Sequence, residues 1–312
     1  MTTTPRSANN PVAATPVAGA AVCTARQLIE AGATQLEEAG VSFGHGTNNA
    51  WDEAAWLVLW SLGLPLDTDL DDPASAANRP LRQEQQAQCA TLLRARCESR
   101  QPAAYLTGEA WLQGVPFYSD PRSIVPRSLI AELLVGGTLD SWLPTQTTRA
   151  LDLCTGNGSL TILSALVYPS LQVDGTDISS EALALAQRNV ARHQLEHRIR
   201  LWQSDGLRAV HDRYHLVLCN PPYVNANSMA ALPPEFRAEP ALALAGGDDG
   251  MDFIRVLLTE VAAFLEPNGV LVLEIGHERG HFEAAFPHLQ PVWLTTSAGD
   301  DQVLLLTRES LV

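Results

Sequence analysis

The sequence lacks the features that would place it in several large classes of protein. No apolar run reaches the roughly 18 residues needed to span a bilayer. The N-terminus does not show the basic-then-apolar pattern of a secretory signal. The five cysteines show no C-x-x-C spacing, which argues against structural zinc and against a disulfide framework. We therefore expect a soluble, cytoplasmic protein that holds no metal.

Basic residues are also scarce in this chain. Lysine and arginine together number 20 against 35 aspartates and glutamates, which gives a formal net charge of −15. Phosphate backbones attract basic surfaces, and no basic segment interleaved with aromatic residues is present. A nucleic acid is therefore not expected as the direct substrate. An acidic surface of this kind suits a basic partner.

The chain divides into four stretches of different character. Residues 1–24 are rich in Thr, Ala, Pro and Asn without periodicity, which predicts a disordered tail. Residues 25–105 are predicted to form a helical domain. Residues 106–147, punctuated by prolines between short β-like pieces, are predicted to form a hairpin linker. From residue 148 to 312 short apolar strands alternate with helical stretches, which predicts an α/β domain with a mainly parallel sheet.

Seven strand candidates follow one another in this last stretch, namely RALDLC, LQVDGTD, RIRLWQSD, YHLVLCN, GVLVLEIG, PVWLTT and QVLLLTR. Only the short connection SAGDD separates the last two. That spacing predicts a hairpin that ends the sheet, with an antiparallel strand at its edge. Seven strands closed in this way fit the class I, Rossmann-like variant of the doubly wound fold.

The turn after the first of these strands carries the residues of a ligand site. Gly156 and Gly158 allow the backbone to approach a ligand closely, although a plain tight turn would explain two glycines equally well. Asp177 follows Asp152 by 25 residues, close to the spacing at which an acidic group meets a ribose in dinucleotide folds. The run GNGSLT lacks the third glycine of a pyrophosphate cradle, which favours a ligand without a diphosphate.

After the third strand, Asp205 can accept a hydrogen bond from an adenine amino group, or it can serve as a helix cap or turn residue. The complete set predicted to surround the ligand is Asp152, Cys154, Thr155, Gly156, Asn157, Gly158, Asp177, Ile178, Ser204, Asp205 and Asn220.

The fourth strand ends in the most informative tetrapeptide of the chain, Asn220-Pro221-Pro222-Tyr223. Neither proline carries an N–H, so carbonyl acceptors at this turn face a ligand without competing backbone donors. The Asn220 carbonyl and the backbone carbonyl of Pro221 or Pro222 can accept both hydrogens of a planar NH₂ group, against which Tyr223 offers a flat face. The tetrapeptide does not by itself distinguish a glutamine amide from an adenine, and a merely rigid loop is the alternative.

Together these segments resemble the bacterial protein-glutamine N5-methyltransferases. The resemblance rests on LDLCTGNGS, TDIS, NPPYV and LPPEFRAEPALALAGGDDGMDFIRVLL. The segments FGHGTNNAWDEAAWLVLWSLGLPLD, PAAYLTGEAW and VPRS resemble the ribosomal branch of that family, which methylates large-subunit ribosomal protein three. The resemblance covers about residues 26–308 and implies a seven-stranded class I methyltransferase domain.

The resemblance also implies S-adenosyl-L-methionine as cofactor, held by Asp152, Gly156, Asp177 and Asp205. It implies a helical N-terminal domain that helps to choose the protein substrate. The partner would be a basic ribosomal protein, met free or in transient contact with an assembling ribosomal particle. Alternatives are glutamine methylation of peptide release factors, adenine N6-methylation of a nucleic acid, and a non-catalytic assembly factor that retains the cofactor fold.

Some residues outside these motifs carry weaker expectations. His45, in a glycine-flanked loop, is expected either to touch the substrate or to bond to loop backbone. Arg127 is expected near the mouth of the pocket or in a structural role, and Glu239-Pro240 in a loop over the cofactor or the target amide. Tryptophans are mostly buried in proteins, so three of them are predicted to lie in the core: Trp51, Trp56 and Trp60.

Overall fold

A computed structural model describes residues 23–312. The tail expected over residues 1–24 lies outside the described residues except for its last two. Thr24 caps the first helix: its hydroxyl accepts a hydrogen bond from the Gln27 amide at 3.3 Å, and the Gln27 side chain accepts one from the Thr24 amide at 3.0 Å. This reciprocal pair satisfies two amides that a helix start leaves without partners. Within residues 23–312 no helix combines the length and the apolar character needed to cross a membrane.

Helices and strands follow the order that the sequence predicts. The α-helices are α1 (Ala25–Glu38), α2 (Ala50–Ser61), α3 (Gln83–Ser99), α4 (Ala103–Thr107), α5 (Ile130–Val135), α6 (Ser159–Val167), α7 (Ser180–Arg192), α8 (Ala226–Ala231), α9 (Pro234–Arg237), α10 (Asp252–Glu260) and α11 (Arg279–Ala285). The strands are β1 (Glu109–Leu112), β2 (Val115–Tyr118), β3 (Arg149–Leu153), β4 (Gln172–Asp177), β5 (Ile199–Gln203), β6 (Tyr214–Cys219), β7 (Leu265–Glu274), β8 (Val292–Thr296) and β9 (Gly299–Thr307).

The first four helices pack around a hydrophobic cluster of their own. The prediction that three tryptophans of α2 lie in this core is right for only one of them. Trp56 is 8% exposed, whereas Trp51 is 37% exposed and Trp60 is 39% exposed. The two exposed residues occupy the second and the second-to-last positions of α2, near its two ends.

The predicted β-hairpin joins this helical part to the sheet. Strands β1 and β2 pair in antiparallel register from Glu109 with Tyr118 to Leu112 with Val115. Both residues of the two-residue turn have positive φ, 50° at Gln113 and 75° at Gly114, as the favoured hairpin turns require. The stretch 106–147 also contains α5, which packs in the same hydrophobic cluster as the sheet.

The seven predicted strands form one sheet in the order β5-β4-β3-β6-β7-β9-β8. Within this sheet β3 to β7 are parallel to one another, and β9 is antiparallel to both of its neighbours. The expectation of an antiparallel strand at the edge therefore needs correction, because β9 lies inside the sheet and β8 forms the edge. Residues 302–306 of β9 are all buried, whereas β8 buries only Leu294, so the inner position accommodates the more apolar strand.

Two hydrophobic clusters cover the two faces of the sheet, with α5 to α7 on one side and α10 and α11 on the other. Burial on both faces explains the continuous apolar runs of the strands. The strand order reverses at β3, which has β4 on one side and β6 on the other. Ligands of such sheets bind at this switch point, beyond the carboxyl ends of the strands. The glycine turn after β3 and the NPPY tetrapeptide after β6 both lie there.

Candidate active site

The carboxyl ends of β3 to β6 border a cleft of about 280 Å³, which we call the sheet-edge cleft. Seven of the residues predicted to surround the ligand line it, together with Pro222 of the NPPY tetrapeptide; the seven are Cys154, Gly156, Asp177, Ile178, Ser204, Asp205 and Asn220. These residues come from the turns that follow four different strands. The topology thus brings together side chains that lie up to 68 positions apart in the sequence.

Asp177 and Gly156 face each other at this cleft. The Asp177 carboxylate accepts hydrogen bonds from the amides of Gly156 at 2.9 Å and Ser179 at 2.8 Å. Burial nevertheless raises the pKa of Asp177 above its usual value. Gly156 has a φ of +56°, and a Cβ at this position would lie 3.0 Å from the hydroxyl oxygen of Ser123. Only glycine can adopt this positive φ without strain and also avoid the contact with Ser123, so the turn stays open to a ligand.

Asp152 lies behind the cleft rather than in its lining. One carboxylate oxygen accepts hydrogen bonds from the Thr155 hydroxyl at 2.6 Å, the Thr161 hydroxyl at 2.8 Å and the Thr161 amide at 3.0 Å. The other oxygen is buried and has no hydrogen-bond partner among the described residues. Burial raises the pKa of Asp152 to about 6, against the hydrogen bonds from the two threonines, which lower it.

Three further residues predicted to contact the ligand also hold the turn and are absent from the lining. Thr155 binds Asp152, and Asn157 accepts a hydrogen bond from the Ser159 amide at 3.3 Å. Gly158 begins α6 with a φ of +83°, and a Cβ there would lie 3.1 Å from Ala186. These residues shape the loop from behind, while their neighbours in sequence line the cleft.

The turn after β5 places Asp205 and Ser204 differently. The Asp205 side chain is 51% exposed and forms an ion pair with Arg208. Ser204 uses its hydroxyl locally, donating to the Gly206 carbonyl at 2.7 Å and accepting from the Ala209 amide at 3.0 Å. Asp205 therefore offers an exposed carboxylate to a ligand, whereas the Ser204 hydroxyl is already engaged within its own turn.

Several apolar residues of the cleft were not predicted from the sequence. Ile124, Leu242, Ala243 and Phe253 line it together with the predicted Ile178. They come from the segment after the hairpin, from the short turn that follows Glu239-Pro240, and from α10. Only the expectation of a loop at Glu239-Pro240 pointed to one of these segments, because periodicity alone cannot show which distant apolar residues meet.

The NPPY tetrapeptide separates the sheet-edge cleft from a second cavity of about 170 Å³, which we call the NPPY cavity. Pro221 and Tyr223 line the NPPY cavity, and Pro222 lines the cleft. Asn220 lines both, as do Ile124 and Ala243. Asn220 thus stands where the two cavities meet.

The Tyr223 ring is held by packing and by one buried carboxylate. Its hydroxyl donates to Glu274 at 3.4 Å, and Glu274 in turn accepts from the Ser128 hydroxyl at 2.5 Å. A Cβ at Gly276 would lie 2.5 Å from the Tyr223 ring, and one at Gly250 would lie 2.2 Å from the Tyr223 carbonyl oxygen. Burial raises the pKa of both Tyr223 and Glu274. The only sign of Glu274 in the sequence is a lone acid in the apolar run VLVLEIG.

Relatives of known description align along nearly the whole chain. A protein described as ribosomal protein uL3 glutamine methyltransferase, from Bordetella pertussis, is 54% identical over 291 residues, which are 92% of this chain and 96% of the relative. Another with the same description, from Neisseria meningitidis serogroup A, is 45% identical and covers 93% of this chain and 94% of the relative. The chain belongs to the ribosomal protein uL3 glutamine methyltransferase family.

Two broader comparisons cover parts of the chain. A family model described as "Methyltransferase small domain" matches residues 138–248, which include the glycine turn and the NPPY tetrapeptide. A solved structure described as a methyltransferase from Pyrococcus furiosus aligns with a TM-score of 0.45 and 18% identity, over 70% of this chain and 96% of that chain. The observed seven-stranded sheet and the relatives described as uL3 glutamine methyltransferases confirm the predicted methyltransferase fold and the predicted family.

Arg127 also lines the NPPY cavity. Its guanidinium donates to both oxygens of Glu239, at 2.6 and 2.7 Å, and lies 5.5 Å from the centre of the Phe236 ring. Glu239 also accepts from the Val125 amide at 2.9 Å. Burial alone would raise the pKa of Glu239, but the charge of Arg127 lowers it to about 2.

His45 satisfies neither expectation made for it. The side chain is 1% exposed, so it presents no surface to a protein substrate, and its ring nitrogens have no hydrogen-bond partner among the described residues. Its ring packs on Phe236 with centroids 4.2 Å apart, and Nε2 lies 3.5 Å from Glu239. The glycines that flank it in the sequence let the loop carry this ring inward.

A second buried carboxylate, Glu235 of α9, ties the segment after NPPY to the N-terminal helices. Glu235 accepts from Arg100 at 2.5 Å, from Arg96 at 3.3 Å and from the Ser42 amide at 3.2 Å. Arg96 is itself fully buried and donates to Glu53 of α2 at 2.6 Å. The segment that supplies Leu232 and Phe236 to the NPPY cavity is therefore fixed to the helical domain.

Proposed function

We propose that this enzyme transfers the methyl group of S-adenosyl-L-methionine to the side-chain nitrogen, N5, of a glutamine in ribosomal protein uL3. The observation that carries the proposal is the position of Asn220, which belongs at once to the sheet-edge cleft and to the NPPY cavity. A methyl donor in one cavity and an amide in the other would meet at this residue.

The residues of the sheet-edge cleft fit S-adenosyl-L-methionine. Asp177 has a carboxylate at the cleft, where ribose hydroxyls could donate to it. Ile178 and Phe253 supply apolar walls for an adenine ring, and Asp205 an acceptor for its amino group. Gly156 leaves the floor open where a Cβ would crowd Ser123. When bound, the cofactor supplies a methyl group activated by a sulfonium charge.

The NPPY cavity would position the target amide. An amide nitrogen is a poor nucleophile because its lone pair is delocalised into the carbonyl. Acceptors from Asn220 and a proline carbonyl can grip both N–H bonds, orient the nitrogen and stabilise the positive charge that develops on it. Tyr223, fixed by Glu274 and by the close approach of Gly276, offers a flat face to the planar amide. Transfer needs no strong base beforehand, because methylation itself makes the leaving proton acidic.

The charge of the chain supports a basic protein as the substrate. The net charge of −15 repels nucleic-acid backbones and attracts basic proteins. The relatives named above are described as acting on uL3. We propose that the reaction takes place in the cytoplasm, on uL3 that is either free or part of an assembling particle.

The test is incubation of the purified enzyme with methyl-labelled cofactor and three purified targets: uL3, a peptide release factor and ribosomal RNA. Label on a glutamine of uL3, located by mass spectrometry, is the expected result. Label on the release factor would keep the chemistry and overturn the substrate, and label in RNA would overturn the proposal. Binding of the cofactor without transfer to any target would indicate a non-catalytic assembly factor.

A matched pair of variants tests the role of Asn220. Asn220→Ala is expected to lower kcat by about 10²–10³-fold, the range for removing one preorganised group that stabilises charge in a transition state. Asn227→Ala, at an exposed position of α8 in the same segment, is expected to retain full turnover. Near-normal kcat in Asn220→Ala with intact cofactor binding would contradict the assignment.

A further inference from the structure

An exposed apolar groove lies outside the site described above. Trp60, Leu66 and Trp111 are 39%, 38% and 42% exposed. They line two hollows, of about 650 and 250 Å³, that share Leu66 and Trp111. We call these joined hollows the tryptophan groove. It is built from the end of α2, the loop over residues 63–67 and strand β1 of the hairpin.

Large apolar side chains grouped at a surface mark interaction sites more often than scattered ones do. Tryptophan in particular is enriched among the residues that dominate binding energy at protein interfaces. Trp60 was expected in the core, but it lies at the surface near the end of α2. Its exposed indole faces a hollow rather than open solvent.

The charged side chains that line the tryptophan groove are all acidic, although one of them, Glu109, is paired with Arg192. Asp52, Asp67 and Glu109 contribute to its lining. Residues 41–78, which include the loop of the groove, contain six aspartates and glutamates and neither arginine nor lysine. Asp67 is exposed and makes neither an ion pair nor a side-chain hydrogen bond with any residue from 23 to 312. Its charge is therefore free to meet a cation from outside.

The tryptophan groove and the NPPY cavity lie on either side of one loop. Gly46 and Thr47 line the groove. His45, the preceding residue, packs its ring on Phe236, which lines the NPPY cavity. The tryptophan groove and the NPPY cavity are therefore neighbours across this loop.

We propose that the tryptophan groove docks a basic segment of the substrate protein, with an apolar side chain entering between Trp60, Leu66 and Trp111 and an arginine or lysine pairing with Asp67. This inference rests on the proposed function, since it takes the substrate to be a basic protein. A second copy of this chain would bring a like charge of −15 to an acidic surface, and a nucleic acid would be repelled in the same way.

The test measures binding of uL3 in the absence of cofactor, by fluorescence anisotropy of labelled uL3. Trp111→Ala and Asp67→Arg are each expected to raise the Kd by about 10-fold, as for interface hot spots. Two matched controls should leave it unchanged. Trp51→Ala removes a tryptophan of similar exposure that does not line the groove, and Asp300→Arg makes the same charge change in the β8–β9 hairpin.

Kinetics then separate docking from catalysis. With full-length uL3 as substrate, Leu66→Ser is expected to raise KM about 10-fold at unchanged kcat. With a short peptide that carries only the modified glutamine and its neighbours, the variant and the wild type should be equal. Leu166→Ser, at an exposed leucine of α6, controls for loss of a surface side chain.

Each outcome decides the docking proposal separately from the proposed function. Equal Kd for groove variants and controls would overturn it, as would an equal loss with the short peptide. If the wild type binds uL3 without methylating it, the proposed function fails and the Kd values alone decide the groove. Failure of the wild type to bind uL3 would overturn the groove proposal.

Discussion

Buried carboxylates occur in two regions of this molecule, and the two regions treat them in opposite ways. At the carboxyl end of the sheet, Asp152, Asp177 and Glu274 are bound mainly by hydroxyls and backbone amides, and burial raises the pKa of each. In the segment after NPPY, Glu235 and Glu239 are bound by arginines, and the pKa of each is lowered. The chemical group is the same, and the partner decides the direction of the shift.

This difference distinguishes the strand ends, which can bind a ligand, from the segment after NPPY, which supports the walls of the target site. Both oxygens of Glu239 accept from the single guanidinium of Arg127, so this carboxylate has little capacity left for a ligand. At the end of the sheet, by contrast, Asp177 is bound only by backbone amides and borders the sheet-edge cleft. The ion pairs of the segment after NPPY hold the walls of the target site, whereas Asp177, at a strand end, faces the cleft where a ligand would bind.

The first test of this comparison removes the ion pair between Arg127 and Glu239. Glu239→Ala leaves Arg127 without its partner and is expected to lower the free energy of unfolding by about 3 kcal/mol, the low end for a broken buried pair. The low end applies because a quarter of the Arg127 side chain reaches solvent. Urea denaturation followed by circular dichroism measures it. Glu283→Ala removes the exposed pair with Arg279 and should cost less than about 1 kcal/mol. Equal losses in the two variants would contradict the supporting role.

The second test separates ligand binding from support on a single strand. Asp177→Ala is expected to weaken cofactor binding by about 10–100-fold, the equivalent of one or two hydrogen bonds to a charged group. Asp174, three residues earlier on β4, is bound by Arg149 and Arg200 at 2.8 Å each. Asp174→Ala should therefore lower stability but leave the cofactor Kd within about twofold. Titration calorimetry gives both affinities, and the same Kd for both variants would refute the distinction.

Much of this arrangement could be predicted from the sequence because it depends on local chemistry. The apolar period of the strands, the glycines after β3 and the prolines after β6 are short-range features, and the structure places the turns that follow β3 and β6 side by side at the switch point. Trp56 is buried but Trp51 and Trp60 are not, and this difference depends on which distant elements pack on α2, which its own sequence does not show. The meeting of Ile124, Leu242 and Phe253 depends on three distant segments, which no local pattern connects.

The last test uses pH, where the two kinds of carboxylate should give slopes of opposite sign. Asp152→Asn is expected to change stability by only about 1 kcal/mol at pH 7, because the weaker acceptor is offset by removal of a buried charge. With a pKa of about 6 against the usual 3.8, folded Asp152 binds more protons than the unfolded chain between these pH values. Its contribution to stability therefore falls as pH rises from about 4 to about 6.

Glu239 should behave in the opposite way. Its pKa of about 2, against the usual 4.5, means that its contribution is fully present above pH 4.5 and is lost as pH falls toward 2. Urea denaturation of the wild type, Asp152→Asn and Glu239→Gln across this range measures both. The advantage of wild type over Asp152→Asn should shrink with rising pH, whereas its advantage over Glu239→Gln should grow. Parallel curves for the two variants would show that arginine and hydroxyl partners do not divide these carboxylates into two classes.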